Sequence, residues 1–195
     1  NGGALYITHD FLPDDGIHIH NTKFVQNQAN QNGGGVYFLH NRFGVPRLHD
    51  GKLINIVNTI FDNNRANSGA GFYFIDERQR IHLNLLSVTC TRNQAAEGGG
   101  CLYVDRIANI FVQSSKFESN YGTVNLFDKQ GGAIYTTQVA TINVHGTSFK
   151  NNKGETVKTR VRHALQNPLA AQENVAFLND ETPYNAAELK PVPTN

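Results

Sequence analysis

The chain has 195 residues, with 17 Lys and Arg against 16 Asp and Glu, so its formal net charge is +1. This length corresponds to one domain, or to one domain with an appendage. The near-neutral charge argues against a basic nucleic-acid surface and an acidic disordered tail, and no apolar run is long enough to span a membrane.

Two short motifs alternate along the chain from its first residues. The glycine motif reads GGALY at 2–6, GGGVY at 33–37, GAGFY at 69–73, GGCLY at 99–103 and GGAIY at 131–135. The phenylalanine motif reads FVQN at 24–27, FDNN at 61–64, CTRN at 90–93, FESN at 117–120 and FKNN at 149–152. The glycine motifs follow one another at intervals of 31, 36, 30 and 32 residues, which indicates an array of stacked repeats.

The segments before each phenylalanine motif alternate apolar and polar residues, as in IHIHNTKF and INIVNTIF, which is typical of strands. A propeller blade needs a longer unit, and a leucine-rich repeat needs regularly spaced leucines. Neither fits. The pattern predicts an all-β fold, a right-handed parallel β-helix or pectin-lyase-like solenoid of about five coils, over residues 1–153. Because NGGALY already reads as the interior of a structured segment, we expect this domain to be a fragment of a longer solenoid.

Stacking of equivalent residues at the strand spacing predicts columns of identical side chains. The predicted structural ladder consists of Phe24, Asn27, Phe61, Asn64, Cys90, Asn93, Phe117, Asn120, Phe149 and Asn152. The asparagines are expected to tolerate left-handed backbone at a corner and to bond to one another. Glycine corners with positive φ and close backbone approach are expected at Gly2, Gly3, Gly33, Gly34, Gly69, Gly99, Gly100, Gly131 and Gly132.

The repeats differ in length mainly at 40–52 and 121–130, which we therefore interpret as variable loops. Residues 154–195 lack both motifs and are predicted to form a C-terminal cap or an extended strap. Within them, 167–180 is a candidate for a short helix.

The alternating motifs, carried by GGALY, GGAIY, FVQN, FDNN, FESN and FKNN, resemble the repeats of the polymorphic outer membrane protein family, best known from chlamydial autotransporters. The resemblance covers roughly residues 2 to 152, with Cys90 replacing one phenylalanine and GAG replacing GGA at 69–71. It implies a β-helical autotransporter passenger displayed outside the cell and used in adhesion.

Polysaccharide-cleaving enzymes also use parallel β-helices, and they need clustered acids facing a groove. The polar edge formed by Asp10, Asp76, Glu77 and Asp105 is the candidate here, although a solvated edge of mixed charge explains the same residues. His18 and His20 could clamp a metal, but no acid or cysteine recurs beside them, so we expect an exposed polar face. Cys90 and Cys101 occupy interior columns, which favours buried free thiols over a disulfide bond.

The strong signals all serve coil stacking, so we expect a non-enzymatic structural or adhesive module without catalytic residues, metal or cofactor. Its expected partners are other proteins or surface glycans, bound through the variable loops, and neighbouring solenoid coils. We expect no nucleic-acid partner and no membrane-spanning segment. The expected location is the cell surface or extracellular space, with a eukaryotic cilium-associated assembly as the alternative. The alternative function is carbohydrate binding or pectate-lyase-like cleavage.

Overall fold

The structure is a computed structural model that describes residues 1–9, 16–40, 52–76, 81–107, 109–122, 124–125, 128–129, 131–137, 141–153, 155–162, 173–177 and 187–188. The regular secondary structure in these ranges consists of β-strands. No helix within them is long and apolar enough to cross a membrane.

The strands follow one another in five coils. The first coil has β1 (Leu5–His9), β2 (Ile17–His20) and β3 (Lys23–Val25). The second has β4 (Val36–His40), β5 (Leu53–Val57), β6 (Ile60–Asp62) and β7 (Arg65–Ser68). The third has β8 (Phe72–Asp76), β9 (His82–Leu86), β10 (Thr89–Thr91) and β11 (Gln94–Gly98).

The remaining strands complete the stack. The fourth coil has β12 (Leu102–Asp105), β13 (Asn109–Gln113), β14 (Lys116–Glu118) and β15 (Tyr121–Gly122), followed by the antiparallel pair β16 (Val124–Asn125) and β17 (Asp128–Lys129). The fifth has β18 (Gly131–Thr137), β19 (Thr141–His145) and β20 (Ser148–Lys150). Beyond it come β21 (Glu155–Arg162), β22 (Glu173–Phe177) and β23 (Ala187–Glu188).

Equivalent strands of successive coils pair in parallel and build four sheets. Sheet A has the order β1-β4-β8-β12-β18-β21-β22, and sheet B has the order β2-β5-β9-β13-β19-β23. Sheet C runs from β3 through β6, β10 and β14 to β20, and sheet D contains β7, β11 and β15. The register places identical motif positions side by side, for example Tyr37 with Tyr73 and Phe61 with Cys90. The predicted all-β parallel β-helix is confirmed.

Aromatic and aliphatic columns fill the space between the sheets. Phe61, Phe117 and Ile54 are at most 1% exposed, so the core is closed to bulk solvent along the middle coils. Phe24 stacks on Phe61 with ring centroids 5.1 Å apart, and Phe117 stacks on Phe149 at the same distance. Burial of these side chains is the main favourable contribution to folding, at roughly 1.5–3 kcal/mol for each large apolar side chain.

The asparagines at the fourth place of each phenylalanine motif form a continuous hydrogen-bonded ladder. Asn64 Nδ2 donates to Asn93 Oδ1 at 2.9 Å and to Phe24 O in the preceding coil at 2.9 Å. Asn64 Oδ1 accepts from both the backbone N and Nδ2 of Asn27, each at 2.9 Å. The same pattern continues through Asn93, Asn120 and Asn152. Each coil is thereby locked in register with the next.

The ladder asparagines were predicted to adopt the left-handed backbone at the corner. It lies instead on the residue before each of them. Positive φ occurs at Gln26, Asn63, Arg92, Ser119 and Asn151, with values from 52° to 56°. The ladder asparagine must point inward to reach its partners, so the residue before it makes the turn. A second left-handed corner, which the sequence motifs did not reveal, lies at Asn21, Asn58, Ser87, Ser114 and Gly146.

The glycine motifs combine two physical requirements. The first glycine has positive φ at Gly2, Gly33, Gly69 and Gly99, but Gly131 does not and instead begins β18. The second glycine is required for closeness: a Cβ on Gly100 would lie 2.1 Å from Gly132 O. The backbones of neighbouring coils approach closely at this corner, although the third coil accommodates a buried Ala70 at the equivalent place.

Cys90 and Cys101 form a disulfide bond, so the expectation of free thiols was wrong. Both residues are buried in the interior columns, with 1% exposure each, and their Cα atoms are 6.0 Å apart. Cys90 stands where other coils have a phenylalanine, and Cys101 stands where they have glycine or alanine. The ring is absent from this coil, and the two sulfur atoms occupy the interior position instead.

The C-terminal segment adds strands to the last coil. Parallel pairing continues past the final motif, because β21 pairs with β18 although it carries no repeat residue pattern. The strand β22 then pairs antiparallel with β21, and β23 pairs antiparallel with β19. The expected helix within 167–180 was wrong over Glu173–Phe177, which is a strand. By pairing with β21, β22 satisfies backbone groups at an edge that a helix would leave without hydrogen-bond partners.

Candidate functional site

Asp76, one of the four predicted edge acids, lies in the interior and not at a solvated edge. It is 0% exposed, and its Oδ1 lies 3.0 Å from Nδ1 of His40 in the neighbouring coil. Its other oxygen, Oδ2, accepts the backbone N–H of Ile81 at 3.0 Å. The residue ends β8 at an inward position of the strand, which accounts for its burial.

Asp105 points away from Asp76, because the two residues occupy adjacent register positions. Asp105 pairs with Ile75 and Thr137, whereas Asp76 pairs with His40. The Asp105 side chain accepts a hydrogen bond from Arg106 Nε at 2.9 Å and another from the Thr137 hydroxyl. Asp10 and Glu77 lie outside the described residues. The structure therefore does not bring Asp76 and Asp105 together around one reacting position.

The outer face of sheet B carries a second polar ladder. His18 Nδ1 lies 3.3 Å from Asn55 Nδ2, and Asn84 Nδ2 donates to Asn55 Oδ1 at 3.0 Å. Asn109 Nδ2 lies 2.9 Å from His82 Nδ1 in the same manner. In the part of the chain that the structure describes, no three His, Cys, Asp or Glu side chains gather as a metal site would require. His18 is instead part of an exposed amide and imidazole ladder.

The outer face of sheet C carries one ion pair between neighbouring coils and one within a strand. Arg92 contacts both carboxylate oxygens of Asp62, with Nη2 to Oδ2 at 2.6 Å and Nε to Oδ1 at 3.1 Å. The hydrogen bonds from Arg92 hold the pKa of Asp62 below its usual range. One coil further, Lys116 pairs with Glu118. The paired charges stabilise one another.

Tyrosines stack along the outer face of sheet A. The rings of Tyr6, Tyr37 and Tyr73 are nearly parallel, with neighbouring centroids 5.0 and 5.3 Å apart, and the stack continues through Tyr103 to Tyr135. Burial, together with the neighbouring Tyr37, raises the pKa of Tyr73 to about 12, and burial raises the pKa of Tyr103 as well. Because each ring covers its neighbour, the ring faces inside the stack are not accessible to a ligand.

A groove of about 410 Å³ crosses the outer side of sheet D near the first two coils. It is lined by Gln28, Ala29, Asn30, Arg65, Ala66 and Asn67. The two alanines are wholly or partly buried, whereas the four polar side chains are exposed. We call these six residues the sheet D groove. Sequence reasoning missed it, because its residues lie between the two motifs and share no obvious pattern.

The register between coils is the signal that could have revealed the groove. Gln28 lies beside Arg65 through an isolated parallel bridge, and the backbone N–H of Ala29 donates to Arg65 O at 2.9 Å. Counting from the ladder asparagines would have aligned these residues, since each lies just after Asn27 or Asn64. The sequence analysis assigned binding to the variable loops and not to this wall of sheet D. Of those loops, residues 41–51 and much of 121–130 lie outside the described residues.

Comparison of the chain with family models, with curated proteins and with solved structures finds no match.

Proposed function

We propose that this chain is a non-enzymatic structural and adhesive β-helical module, displayed on a cell surface or built into a larger extracellular or ciliary assembly. The observation that carries the proposal is how the polar side chains are used. Asp76 is committed to His40 and the Ile81 backbone, and Asp105 to Arg106 and Thr137. In pectate-lyase-like chemistry such acids would have to meet in an open groove.

The resemblance to polymorphic outer membrane protein repeats supports the same proposal. Five coils held by asparagine, tyrosine and amide ladders make a rigid rod whose outer faces present repeated chemistry. Quasi-one-dimensional stacks of this kind offer extended binding surfaces. A rod whose coils are joined by ladders of stacked and hydrogen-bonded side chains is suited to adhesion or scaffolding.

The proposal is tested with two measurements on the purified chain. Beads coated with the protein should bind cultured cells or immobilised matrix saturably, and soluble protein should compete for that binding. Incubation with polygalacturonate should release no unsaturated or reducing ends. Cleavage that disappears in Asp105→Ala would overturn the proposal in favour of a polysaccharide-cleaving enzyme.

A further inference from the structure

The Cys90–Cys101 disulfide lies between neighbouring coils of the solenoid. Cys90, in β10 of the third coil, pairs in register with Phe61 of the second coil and with Phe117 of the fourth. Cys101 directly precedes β12, and a Cβ added to Gly71 in the preceding coil would lie 2.8 Å from its Sγ. Both cysteines and both phenylalanines are at most 1% exposed. The two sulfur atoms are therefore enclosed within the stack.

Hydrogen bonds to neighbouring coils hold the backbone of both cysteines in place. Cys101 N–H donates to Ala133 O in the fifth coil at 2.9 Å, and Cys101 O accepts the N–H of Gly71 in the third coil, also at 2.9 Å. Cys90 O accepts a hydrogen bond from Asn120 Nδ2 in the fourth coil at 3.0 Å. Exposing either sulfur atom therefore requires the coils to separate and these bonds to break.

Access to the sulfur atoms decides whether this disulfide can exchange. A disulfide is reduced when a thiolate attacks one of its sulfur atoms and forms a mixed disulfide, and the reverse reaction also needs direct contact between sulfur atoms. In the stacked chain the surrounding core excludes a soluble thiol from both sulfurs. In the unfolded chain the two cysteines are 11 residues apart, and a loop of about this length closes within roughly 10–100 ns. The two thiols therefore meet readily before the coils stack.

We propose that the Cys90–Cys101 disulfide forms before the third and fourth coils stack, and that β14 then shields it from thiols by covering Cys90 with Phe117. In the first step the thiolate of one cysteine attacks oxidised glutathione, which leaves a mixed disulfide and releases one glutathione thiolate. The thiolate of the other cysteine then attacks the sulfur of the first cysteine and releases the second glutathione thiolate. Two protein thiols are oxidised, one glutathione disulfide is reduced, and the two protons pass to the released thiolates.

The consequence concerns maturation of the chain and is independent of the proposed adhesive function. A chain that meets a thiol oxidant while it is still unstacked acquires a disulfide that external reductants cannot reach afterwards. A chain that stacks first encloses two reduced thiols that an oxidant cannot reach. The redox state of the folded protein is therefore set by the environment in which it folds, and an oxidising secretory compartment supplies the disulfide.

The test follows the disulfide of the full chain by mass spectrometry after alkylation of free thiols. Dithiothreitol should reduce the folded chain at least about a hundredfold more slowly than the urea-unfolded chain, because the native stack opens rarely. The reverse reaction is measured with oxidised glutathione on the reduced chain. Oxidation should be rapid in urea, and it should be at least about tenfold slower once the reduced chain has been refolded without urea.

A pair of variants tests whether β14 is the cover. Phe117→Ala removes the ring beside Cys90 and should speed reduction of the folded chain by about tenfold or more. Phe149→Ala is the matched control, because it removes the same ring one coil further from Cys90. The rates are compared at urea concentrations where the two variants have the same free energy of unfolding. Under that condition Phe149→Ala should reduce more slowly than Phe117→Ala.

Three outcomes would overturn the proposal. The folded wild-type chain could be reduced as fast as the unfolded chain, or the refolded reduced chain could be oxidised as fast as in urea. The two variants could also be reduced at equal rates when their stabilities are matched, which would show that Phe117 is not the cover. If Phe117→Ala does not fold, Phe117→Leu takes its place, and the wild-type rates decide whether the disulfide is shielded without any variant.

Discussion

His40 and Asp76 join the ends of two neighbouring strands inside the solenoid, with His40 Nδ1 3.0 Å from Asp76 Oδ1. Their side chains are 4% and 0% exposed. Because the contact is buried, each side chain depends on the other for its polar partner. The pair links the second coil to the third, and Asp76 also holds the start of the next segment through Ile81 N–H. We therefore infer that Asp76 stabilises the fold and does not serve as a catalytic acid.

Asp76→Ala should reduce the free energy of unfolding by about 3 kcal/mol, since it leaves the backbone N–H of Ile81 and the buried ring of His40 without their partner. Urea unfolding followed by circular dichroism measures the effect. Asp105→Ala is the control: its partner Arg106 is one-third exposed, so about 1 kcal/mol or less is expected. Equal losses in the two variants would contradict the buried role of Asp76.

Asn64→Ala should destabilise the fold by about 2–4 kcal/mol. The side chain makes four hydrogen bonds, and its removal leaves Phe24 O and the backbone N–H of Asn27 without this partner in a largely buried corner. Equilibrium denaturation provides the measurement. Asn30→Ala, at an exposed site outside the ladder, should change stability by less than about 0.5 kcal/mol. An unchanged unfolding midpoint for Asn64→Ala would show that the ladder contributes no stability.

The disulfide between Cys90 and Cys101 should contribute about 2–3 kcal/mol, because it closes a loop of 11 residues in the unfolded chain. Reductant should therefore lower the unfolding midpoint of wild type. The variant Cys90→Phe/Cys101→Ala replaces both residues with those typical of the other coils. It should be insensitive to reductant and more stable than Cys90→Ala/Cys101→Ala, because the ring fills the gap between Phe61 and Phe117. A double-alanine variant as stable as this one would argue against a ring-sized space.

Stability should fall steeply in alkali because of the tyrosine stack. Tyr73 ionises near pH 10.0 in an unfolded chain, but burial raises its pKa to about 12 in the fold. Between these values the unfolded state releases the proton and the folded state keeps it. The stabilising contribution is therefore complete below pH 10 and is lost as pH rises towards 12.

Tyr73→Phe should flatten this decline, as measured by urea unfolding across the alkaline range. Tyr6→Phe serves as the control, since Tyr6 is 52% exposed at the end of the stack, and it should leave the decline in place. If Tyr73→Phe and wild type lose stability in parallel above pH 10, the burial of the Tyr73 hydroxyl is not the cause.

Much of the architecture could be predicted because a solenoid converts sequence period directly into contact. Residues that recur at the same place in each repeat become neighbours across a strand spacing, so Phe61 had to meet Phe24 and Cys90. The columns and the parallel β-helix follow from this geometry alone. The left-handed turn could not be placed in the same way, because the residues that adopt it, such as Gln26 and Arg92, share no side-chain type.

The candidate site was far less predictable, because it depends on which face a single residue occupies. Asp76 and Asp105 have similar sequence surroundings, but one register step sends the first inward to His40 and the second towards solvent. The disulfide likewise required the distance between two columns, which spacing along the chain does not supply.

By itself, the sequence determined the repeat, the columns and the corner glycines, because repetition forces like residues to stack. Only the tertiary structure decided that the thiols are bonded, that Asp76 is buried, and that Gln28 and Arg65 face one groove. Those outcomes depend on contacts between different positions of different coils, and their geometry is set by how the sheets meet around the core.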